Sequence, residues 1–552
     1  MSSPYRPRWP LLLTLIVGAM SLIAIAYLAE GSEPAGEERP ARGGSYIEGV
    51  AGAPDRINPL FASLNEVERD LSSLIFSGLV RLGPKGDLQP DLAEDWTISP
   101  DGLTYIFQLH PGLLWHDGEP LDADDVVFTI RAIQEPGFRG DQVLADLFKD
   151  VELEAPNALT VIMTRPQSFA PFLAFTTVGI LPEHLLAGLG PNSLYRSPFN
   201  QQPIGSGPFR LADITSNEAV LEAFESYHLG QPLLERLELR FYRDDAALIT
   251  ALRNDEVEGA LLRPGLSPDD LAFFDSDARW TRRSLHTASY SLVYLNPEIP
   301  AFESGRVRRA FQHALDREAL IDELLAGQAL PVDSPIIRDL WAYVGNANAY
   351  AFDPPRANAL LNAAGWVRVD GVRENDGEPL QFTLASSDDP VQSRVAHEIA
   401  RQWGLLGIQV DVQVSSVSEF TKEILLPRNF DAALRTISPP GPDPDPYPFW
   451  HSTQIMGDGL NLASFSDLEA DRLLETARLE PSLAERAENY RAFQEIFALE
   501  LPAVLLYTAT YQYIVNADVR DVTPGLLFTL SARFHDVHRW SVETEPLSDA
   551  VE

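Results

Sequence analysis

Short β-prone runs and amphipathic helical segments alternate along most of this chain, and this alternation restricts its fold more than any other feature. One helix is predicted over Ala123–Ile133, with Asp122 as its N-cap. Another, over Val391–Leu406, ends at Gly407 and leads directly into a β-prone run over Ile408–Val414. The repeated succession of helix and strand predicts an α/β architecture. Because single cores rarely exceed about 300 residues, a chain of 552 residues is expected to form two or more lobes.

Further strands and helices follow from the same periodicity and from the turn residues that bound each run. The predicted strands are Ser45–Val50, Thr104–Leu109, Leu159–Thr164, Val220–Phe224, Leu237–Tyr242, Ala503–Tyr507 and Tyr511–Val515. The predicted helices are Gly305–Leu325 with Ser304 as its cap, Pro354–Ala364 ending at Gly365, and Ser482–Leu499.

An uncharged, largely apolar segment occupies Trp9–Ala29. At ~1.5 Å rise per residue, a helix of this length spans about 30 Å, the thickness of one bilayer core. Arginines precede it and glutamates follow it, so the positive-inside rule places everything after residue 30 outside the cytoplasm. We predict an uncleaved membrane anchor in residues 1–29, with its helix over about residues 9–29, and a tether over residues 30–43. The alternative is a signal segment cleaved near Ala24, Ile25 and Ala26.

Composition and missing motifs exclude several classes of function. The sequence contains no cysteine, which removes disulfides, thiol nucleophiles and cysteine-ligated metal sites. It has 80 acidic and 42 basic residues, a formal net charge of −38, and this acidity argues against a nucleic-acid partner. The GxSxG, Walker, HExxH and strand-following GxGxxG motifs are absent from the sequence. We therefore expect a binding protein that uses no cofactor and no metal, and not an enzyme.

The loop Ser438–Trp450 carries the strongest signal for a ligand site. In its sequence, SPPGPDPDPYPFW, prolines hold the backbone extended and Asp443 and Asp445 lie beside aromatic residues. A carboxylate next to aromatic rings suits an amine or sugar hydroxyls. We predict that Asp443, Asp445, Tyr447 and Trp450 contact the ligand. The alternative interpretation is a structural proline-rich loop.

A second loop, Gly205–Phe209 (GSGPF), combines a flexible and a rigid residue. Gly207 is free to take a positive φ, while Pro208 fixes the φ of the next position. This pattern predicts a structural turn, with direct ligand contact as the less favoured interpretation.

Five ordered blocks of the sequence resemble the extracytoplasmic solute-binding proteins of ABC importers, in the family that binds dipeptides, oligopeptides, nickel and some oligosaccharides (family 5). The resemblance extends from about Gly43 to Trp540. Any single block is weak, whereas their common order is a specific signal. The blocks are Ile75–Leu79 (IFSGL) with Leu88–Trp96 (LQPDLAEDW), Pro100–Phe107 (PDGLTYIF) followed by Trp115–Phe128 (WHDGEPLDADDVVF), Pro203–Leu211 (PIGSGPFRL), Val307–Ile321 (VRRAFQHALDREALI) and Pro354–Trp366 (PPRANALLNAAGW).

The resemblance implies a periplasmic-binding-protein-like fold, in which two α/β lobes are joined by a two-strand hinge and an extra subdomain is inserted in the first lobe. The hinge crossings are expected near Ser289–Leu295 and Ala503–Val515. A ligand is expected to lie between the lobes, which close around it. The implied boundaries are lobe one over residues 44–290, its inserted subdomain over about residues 83–200, lobe two over residues 291–505, and a return to lobe one with a C-terminal tail over residues 506–552.

The resemblance also implies where a peptide is held. In peptide-binding relatives an aspartate of the second lobe pairs with the free amine, in the loop that corresponds to the proline-rich loop described above. The prolines of this chain displace the acids there, so Asp443 or Asp445 is expected to take that role. In lobe one, Leu64–Leu71 resembles the segment whose backbone runs beside the ligand. Asn65 and Glu66 are its candidate contacts, and a solvated loop is the alternative.

The implied function is the ligand-binding component of an ABC importer, which captures peptides and delivers them to a permease in the membrane. We expect a monomer, held at the membrane by its N-terminal helix. Two alternatives stay open at this point. One is a membrane-anchored sensor or partner-binding ectodomain with the same fold, and the other is an importer subunit for oligosaccharides.

Overall fold

The computed structural model of this protein describes residues 38–345, 350–439 and 441–546. The predicted membrane anchor over residues 9–29 and most of the predicted tether lie outside these ranges. Within the described ranges, no helix is both long enough and apolar enough to span a bilayer.

The described residues form strands and helices that are numbered in chain order. The strands are β1 (Glu38–Ala41), β2 (Ser45–Ala51), β3 (Val80–Leu82), β4 (Leu88–Pro90), β5 (Ala93–Ile98), β6 (Thr104–Leu109), β7 (Glu152–Asn157), β8 (Thr160–Thr164), β9 (Phe209–Ile214), β10 (Glu218–Ala223), β11 (Arg236–Tyr242), β12 (Gly259–Leu262), β13 (Trp280–His286), β14 (Tyr290–Leu295), β15 (Ala329–Pro331), β16 (Val367–Val369), β17 (Val372–Asn375), β18 (Glu378–Pro379), β19 (Gln381–Ser387), β20 (Gln409–Ser415), β21 (Ala432–Ile437), β22 (Ala503–Asn516) and β23 (Glu543–Pro546). The helices are α1 (Glu66–Ile75), α2 (Ala123–Gln134), α3 (Gln142–Phe148), α4 (Glu183–Leu186), α5 (Pro191–Tyr195), α6 (Asp245–Arg253), α7 (Pro268–Ser276), α8 (Pro300–Glu303), α9 (Gly305–His313), α10 (Arg317–Leu325), α11 (Pro354–Ala363), α12 (Pro390–Gly404), α13 (Val417–Glu419), α14 (Tyr447–Trp450), α15 (Leu468–Leu479) and α16 (Leu483–Glu500).

One twelve-stranded sheet runs through the whole molecule, and β22 lies at its centre. The strand order is β20-β19-β21-β14-β22-β12-β2-β11-β10-β9, and β13 and β15 also pair with β22. We call the part of the sheet around residues 510–516 of β22, which pair with β12 and β13, lobe one. The part around residues 503–509, which pair with β14 and β15, is lobe two. Together with the flanking helices, this sheet confirms the predicted α/β architecture of two lobes.

The long strand β22 connects the lobes. Its first residues pair with β14, up to Tyr507 opposite Ser291, and its last residues pair with β13, from Thr510 opposite His286. The prediction of two separate strands, Ala503–Tyr507 and Tyr511–Val515, is therefore wrong. The strand is continuous because β15 pairs with residues 507–509 and so extends the hydrogen-bonded ladder through the middle of β22. The chain crosses between lobes once here and once between β13 and β14.

The segment between β2 and β9 adds a separate sheet to lobe one. Its strand order is β5-β6-β8-β7, and α2 packs beside it. Asp122 caps α2 as predicted, in a capping box with Asp125. Buried side chains of this segment, such as Phe107 and Trp115, belong to the same hydrophobic cluster as Tyr46 and Leu71 of the main lobe. The added sheet and lobe one therefore share one core.

Lobe two contains a break that the sequence pattern did not reveal. The predicted helix over Gly305–Leu325 is two helices, α9 and α10, because Ala314–Asp316 leaves the helical path. Asp316 caps the second helix by accepting a hydrogen bond from the N–H of Ala319 at 3.0 Å. Ser304 precedes the first helix, but its side chain makes no capping hydrogen bond.

After β22 the chain returns to lobe one. Trp540 packs edge-on against Tyr46 of β2, with ring centroids 5.5 Å apart. The last described strand, β23, pairs antiparallel with β1. The two ends of the described chain therefore lie side by side on lobe one.

Candidate ligand-binding cleft

A cavity of about 530 Å³ lies between the two lobes. A second cavity of about 250 Å³ reaches the hinge at Thr287, Ser289 and Tyr511. The two share lining residues, so we describe them together as the cleft. Its volume is within the roughly 300–1,000 Å³ usual for ligand pockets. The first cavity is lined by α1 through Arg69, Ser72 and Ser73, and by Phe76 directly after this helix. The remaining lining comes from the added segment through Phe175 and Thr177, from the C-terminal segment through Phe528, Ser531 and His535, and from lobe two through Pro439, Gly441 and Pro442.

Helix α1 forms much of the lobe-one wall. One of its faces carries Leu71 and Leu74, which are buried in the lobe-one core. The opposite face turns Arg69, Ser72 and Ser73 toward the cleft. Spacing of three and four residues puts each set on one side of the helix. The amphipathic pattern of α1 therefore fixes which side chains a ligand meets.

The predicted contacts Asn65 and Glu66 lie at the start of α1, and neither lines the cleft. The side-chain oxygen of Asn65 caps the helix, accepting from the N–H groups of Val67 at 3.0 Å and Glu68 at 3.2 Å. The carboxylate of Glu66 pairs with Arg263 at 3.2 Å. The ligand role of Asn65 and Glu66 stays a prediction, and their contacts in this structure serve to build the wall.

The turn Gly205–Phe209 braces the end of α1. The N–H of Gly207 donates to the carbonyl of Ile75 at 2.8 Å. A Cβ atom on Gly205 would lie 1.9 Å from that same carbonyl oxygen, so only glycine fits. Glycine is needed here for close approach and not for a positive φ, which neither residue adopts. Pro208 of the same turn lines the cleft.

The polar groups of α1 retain unused hydrogen-bonding capacity. Nη1 of Arg69 donates to the carbonyl of Ser63 at 3.1 Å, but its Nε is buried without a partner. Among the described residues, no carboxylate forms an ion pair with Arg69. Ser72 is only 7 % exposed, and its hydroxyl also has no partner. Buried polar groups are normally paired, so these atoms are available to hydrogen-bond with a ligand or with water.

The other charged groups of the cleft wall already have protein partners. Asp91 accepts from the N–H of Gly78 at 3.1 Å and from Nε2 of His228 at 2.8 Å. Arg81 donates to Asp536 at 3.2 Å. Apart from α1, the described residues of this wall therefore offer a ligand few charged groups that lack a protein partner.

The histidines beside Asp536 do not form a metal site. His535 lines the cleft, and burial lowers its pKa. Burial also lowers the pKa of His538 to about 4, so both rings favour the neutral form. No group of three or more potential ligands that could hold a metal is found in the part of the chain that the structure describes.

In the proline-rich loop, Asp443 turns away from the cleft into lobe two. Its two oxygens accept from the guanidinium of Arg486 at 2.7 and 3.0 Å. The same guanidinium donates to the hydroxyl of Tyr490 at 3.1 Å. Burial disfavours the charge on Arg486, but the neighbouring carboxylate overcomes this and raises its pKa. A bidentate pair of this kind uses one acceptor site on each oxygen of the carboxylate.

Asp445 is held by a second arginine. One oxygen accepts from Nε of Arg478 at 2.7 Å and the other from the N–H of Tyr447 at 3.1 Å. The guanidinium of Arg478 lies 3.6 Å from the centre of the Tyr447 ring and 5.4 Å from that of Phe169 in lobe one. Burial raises the pKa of Asp445.

Trp450 is fully buried in lobe two, where its ring meets Phe497 edge-on at 4.8 Å. The predicted contacts Asp443, Asp445, Tyr447 and Trp450 thus lie in one loop but face lobe-two partners. Their ligand role stays a prediction. The same loop reaches the cleft at Pro439, Gly441 and Pro442.

Sequence reasoning missed the cleft residues of α1 and of the C-terminal segment. The signal for α1 was present, because Arg69 and Ser72 fall three residues apart on the polar side of an amphipathic helix. No local signal marks Phe528 or Ser531, which reach the cleft only because the chain returns to lobe one after β22.

Comparison with known proteins agrees with this geometry. Residues 87–457 match the model of the bacterial extracellular solute-binding proteins, family 5 Middle. Protein XP55 of Streptomyces lividans is 31% identical over 497 residues, covering 89% of this chain and 87% of that protein. The oligopeptide-binding protein AppA of Bacillus subtilis is 27% identical over 481 residues, covering 85% of this chain and 87% of AppA.

A solved structure shares the architecture. The ABC transporter substrate binding protein CtaP of Listeria monocytogenes superposes with a TM-score of 0.75 at 26% sequence identity. The match covers 91% of this chain and 100% of CtaP.

Proposed function

This chain belongs to the bacterial extracellular solute-binding proteins of family 5, and we propose that within that family it is the ligand-binding component of an ABC importer for peptides. The family places its folded body outside the cytoplasm. The name of the Bacillus subtilis relative, an oligopeptide-binding protein, supports a peptide ligand. The similarity to CtaP, an ABC transporter substrate binding protein, supports the assignment to such a transporter.

The observation that carries the proposal is the cleft between lobes that share β22. Both lobes supply walls, and in the part of the chain that the structure describes, it passes between them beside Thr287–Ser289 and within β22. Rotation about these crossings opens the cleft to solvent and closes it around a ligand. A closed cleft buries most of the ligand and gives the whole molecule a shape that a permease can distinguish from the empty form.

The wall chemistry suits a peptide. The first cavity is lined by small hydroxyl side chains, Ser72, Ser73 and Ser531, and by the aromatic rings of Phe76 and Phe528. Hydroxyls can donate to and accept from peptide amides, and rings can cover side chains of varied shape. This mixture favours peptides over sugars, whose many hydroxyls need more fixed polar partners.

The test is native mass spectrometry of the full chain, purified in detergent without refolding. We expect bound species whose masses form a ladder of short peptides. A single bound species with the mass of a sugar would show that the ligand is a sugar, and the assignment to an importer would stand. An empty protein whose melting temperature also fails to rise with a mixture of random tetrapeptides would contradict the peptide proposal.

The proposed function is binding without catalysis. Peptides released from the protein are therefore expected to have the same masses as those supplied. Appearance of hydrolysed fragments in proportion to protein concentration would contradict this, and a boiled sample controls for chemical breakdown.

We also propose that the protein acts as a monomer held at the membrane by residues 9–29. The uncharged apolar sequence of that segment supports the anchor. Full-length protein is expected in the membrane fraction, and deletion of residues 1–29 is expected to release it. Loss of peptide uptake on deletion of the gene supports an importer, whereas unchanged uptake would favour the sensor alternative. A dimer by light scattering would contradict the monomer.

A further inference from the structure

Helix α1 has one basic residue, and the acidic residues around it are engaged by other groups. Glu66 pairs with Arg263 at 3.2 Å. Glu68 accepts from the N–H groups of Asp55 and Arg56, both at 2.9 Å. These two carboxylates are therefore held by groups other than Arg69.

The third acid of the helix, Asp70, is adjacent to Arg69 in sequence but is held on the other side of the wall. Both of its oxygens accept from the guanidinium of Arg533, at 2.9 and 2.6 Å. Arg69 is thus left facing the cleft, with one hydrogen bond to a carbonyl and a buried Nε that has no partner.

The acids elsewhere on the cleft wall are also occupied. Asp91 is bound by Gly78 and His228. Asp141 caps α3, accepting from the N–H of Val143 at 2.9 Å. A guanidinium that faces a partly enclosed cavity without an ion pair is stabilised when an anion joins it, and among the described residues these walls supply no ion-pair partner.

Ser72 adds a second, independent observation. It lies one helical turn after Arg69, lines the same cavity, and is 7 % exposed with an unpartnered hydroxyl. A hydroxyl and a guanidinium on successive turns of one helix can donate together to the oxygens of one carboxylate.

We propose that Arg69 and Ser72 bind a carboxylate of the ligand, so that this protein selects peptides by an anionic group. The inference rests on the proposed peptide function and adds the charge of the group recognised. It differs from recognition of a free amine by Asp443 or Asp445, whose carboxylates already have arginine partners. The carboxylate can come from the peptide C-terminus or from an acidic side chain.

The test uses the full chain and three mixtures of random tetrapeptides. The first mixture contains no Asp or Glu and has free C-termini, and the second is the same mixture with C-terminal amides. The third has C-terminal amides and one Glu in each peptide. We expect competition in native mass spectrometry to enrich the first mixture over the second by about tenfold or more, the size of a charge-assisted hydrogen bond. Enrichment of the third mixture instead assigns the carboxylate to a side chain and supports the proposal equally.

Two variants test whether the preference for peptides with a carboxylate depends on Arg69 and Ser72. Arg69→Gln is expected to remove the enrichment, and Ser72→Ala to reduce it several-fold while the charge remains. Arg253→Gln is the matched control, because this arginine pairs with Asp270 at 2.7 Å on the lobe-one surface away from the cleft. The circular dichroism spectrum and melting temperature of each variant verify folding. If Arg69→Gln does not fold, the test is whether Ser72→Ala reduces the enrichment.

The outcomes separate the two proposals. Wild-type protein that binds free-acid and amide peptides equally, or an Arg69→Gln variant that folds and keeps the preference, overturns the carboxylate site and leaves the peptide function intact. Wild-type protein that binds no mixture overturns the peptide function, and the inference falls with it.

Discussion

At the scale of single residues, the most consequential feature is a buried ionic cluster in lobe one. Arg533 donates to Glu48 at 2.8 Å and to both oxygens of Asp70. The hydroxyl of Tyr513 also donates to Glu48, at 3.2 Å. The cluster therefore links α1 and the C-terminal segment, which both line the cleft, to β2.

We predict that Arg533→Met destabilises the protein by about 3–5 kcal/mol, because it leaves two buried carboxylates without their cation. Burial already raises the pKa of Glu48 and of Asp70. The loss of stability of Arg533→Met relative to the wild type should therefore become smaller as the pH falls, because the two carboxylates take up protons. Urea denaturation at several pH values measures both effects.

Arg253→Met, which breaks an exposed pair, is the control for that experiment and should leave the urea midpoint unchanged. An Arg533→Met protein with wild-type stability would show that the cluster is not the link between these three elements.

A second residue-scale prediction concerns His116. Its Nε2 lies 3.0 Å from the carbonyl of Gly207, its Nδ1 accepts from the N–H of Gly205 at 3.2 Å, and burial lowers its pKa to about 4. Between pH 6.5 and 4 the unfolded chain binds a proton that the folded chain does not. This histidine should therefore cost about 3 kcal/mol of stability as the pH falls through that range.

Denaturation curves at pH 7 and pH 4.5 measure the effect. We expect His116→Gln to lose less stability than the wild type between these two pH values. His397→Gln removes a surface histidine and is the control. An identical loss in His116→Gln and wild type would contradict the assignment.

At the scale of elements, helix caps decide where the chain turns. The pattern of apolar residues runs through Ala314–Asp316 without interruption, yet the helix breaks there and Asp316 starts a new one. Periodicity reports which face of a helix is buried, and it does not report whether two helical segments are collinear. The cap hydrogen bond of Asp316 is the local cause of the new start.

This gives a matched pair of variants. Asp316→Ala should lower the free energy of unfolding by about 1 kcal/mol, because the N–H of Ala319 loses its acceptor. Ser304→Ala should change it less, since the Ser304 side chain makes no cap bond. Chemical denaturation of the two variants side by side is the measurement, and equal losses would refute the difference in capping.

At the scale of the whole molecule, contacts across the cleft hold the lobes together. The hydroxyl of Ser168 in lobe one donates to the carbonyl of Leu479 in lobe two at 3.0 Å, next to the contact of Arg478 with Phe169. Nearer the hinge, the amide of Gln328 in lobe two exchanges hydrogen bonds with Leu266 of lobe one, at 2.8 and 3.0 Å. The cleft is therefore bridged at both its mouth and its hinge.

We predict that Phe169→Ala opens the cleft more often and speeds ligand release several-fold, because the cation–π contact at the mouth is lost. Small-angle scattering of the empty protein should show a larger radius of gyration, and stopped-flow dilution should show a faster dissociation rate. Phe273→Ala is the control, as this ring contacts Arg253 at 4.5 Å within lobe one. A Phe169→Ala protein with unchanged scattering and release would contradict a role of this contact in closure.

The sequence by itself determined the elements whose signals are local. The α/β alternation, strand β6 and the Asp122 cap of α2 all depend on residues within a few positions of one another. Ordered blocks of such elements were also enough to indicate the family, because each block is short and continuous.

Only the tertiary structure decided which side chains face the cleft. Asp443 and Asp445 lie in a loop that does reach the cleft, but Arg486 and Arg478, distant in sequence, turn their carboxylates into lobe two. Among the described residues Arg69 forms no ion pair, and the neighbouring Asp70 is instead engaged by Arg533, far along the chain. The pairing of a charge depends on which segments meet in space, and no local pattern of residues contains that information.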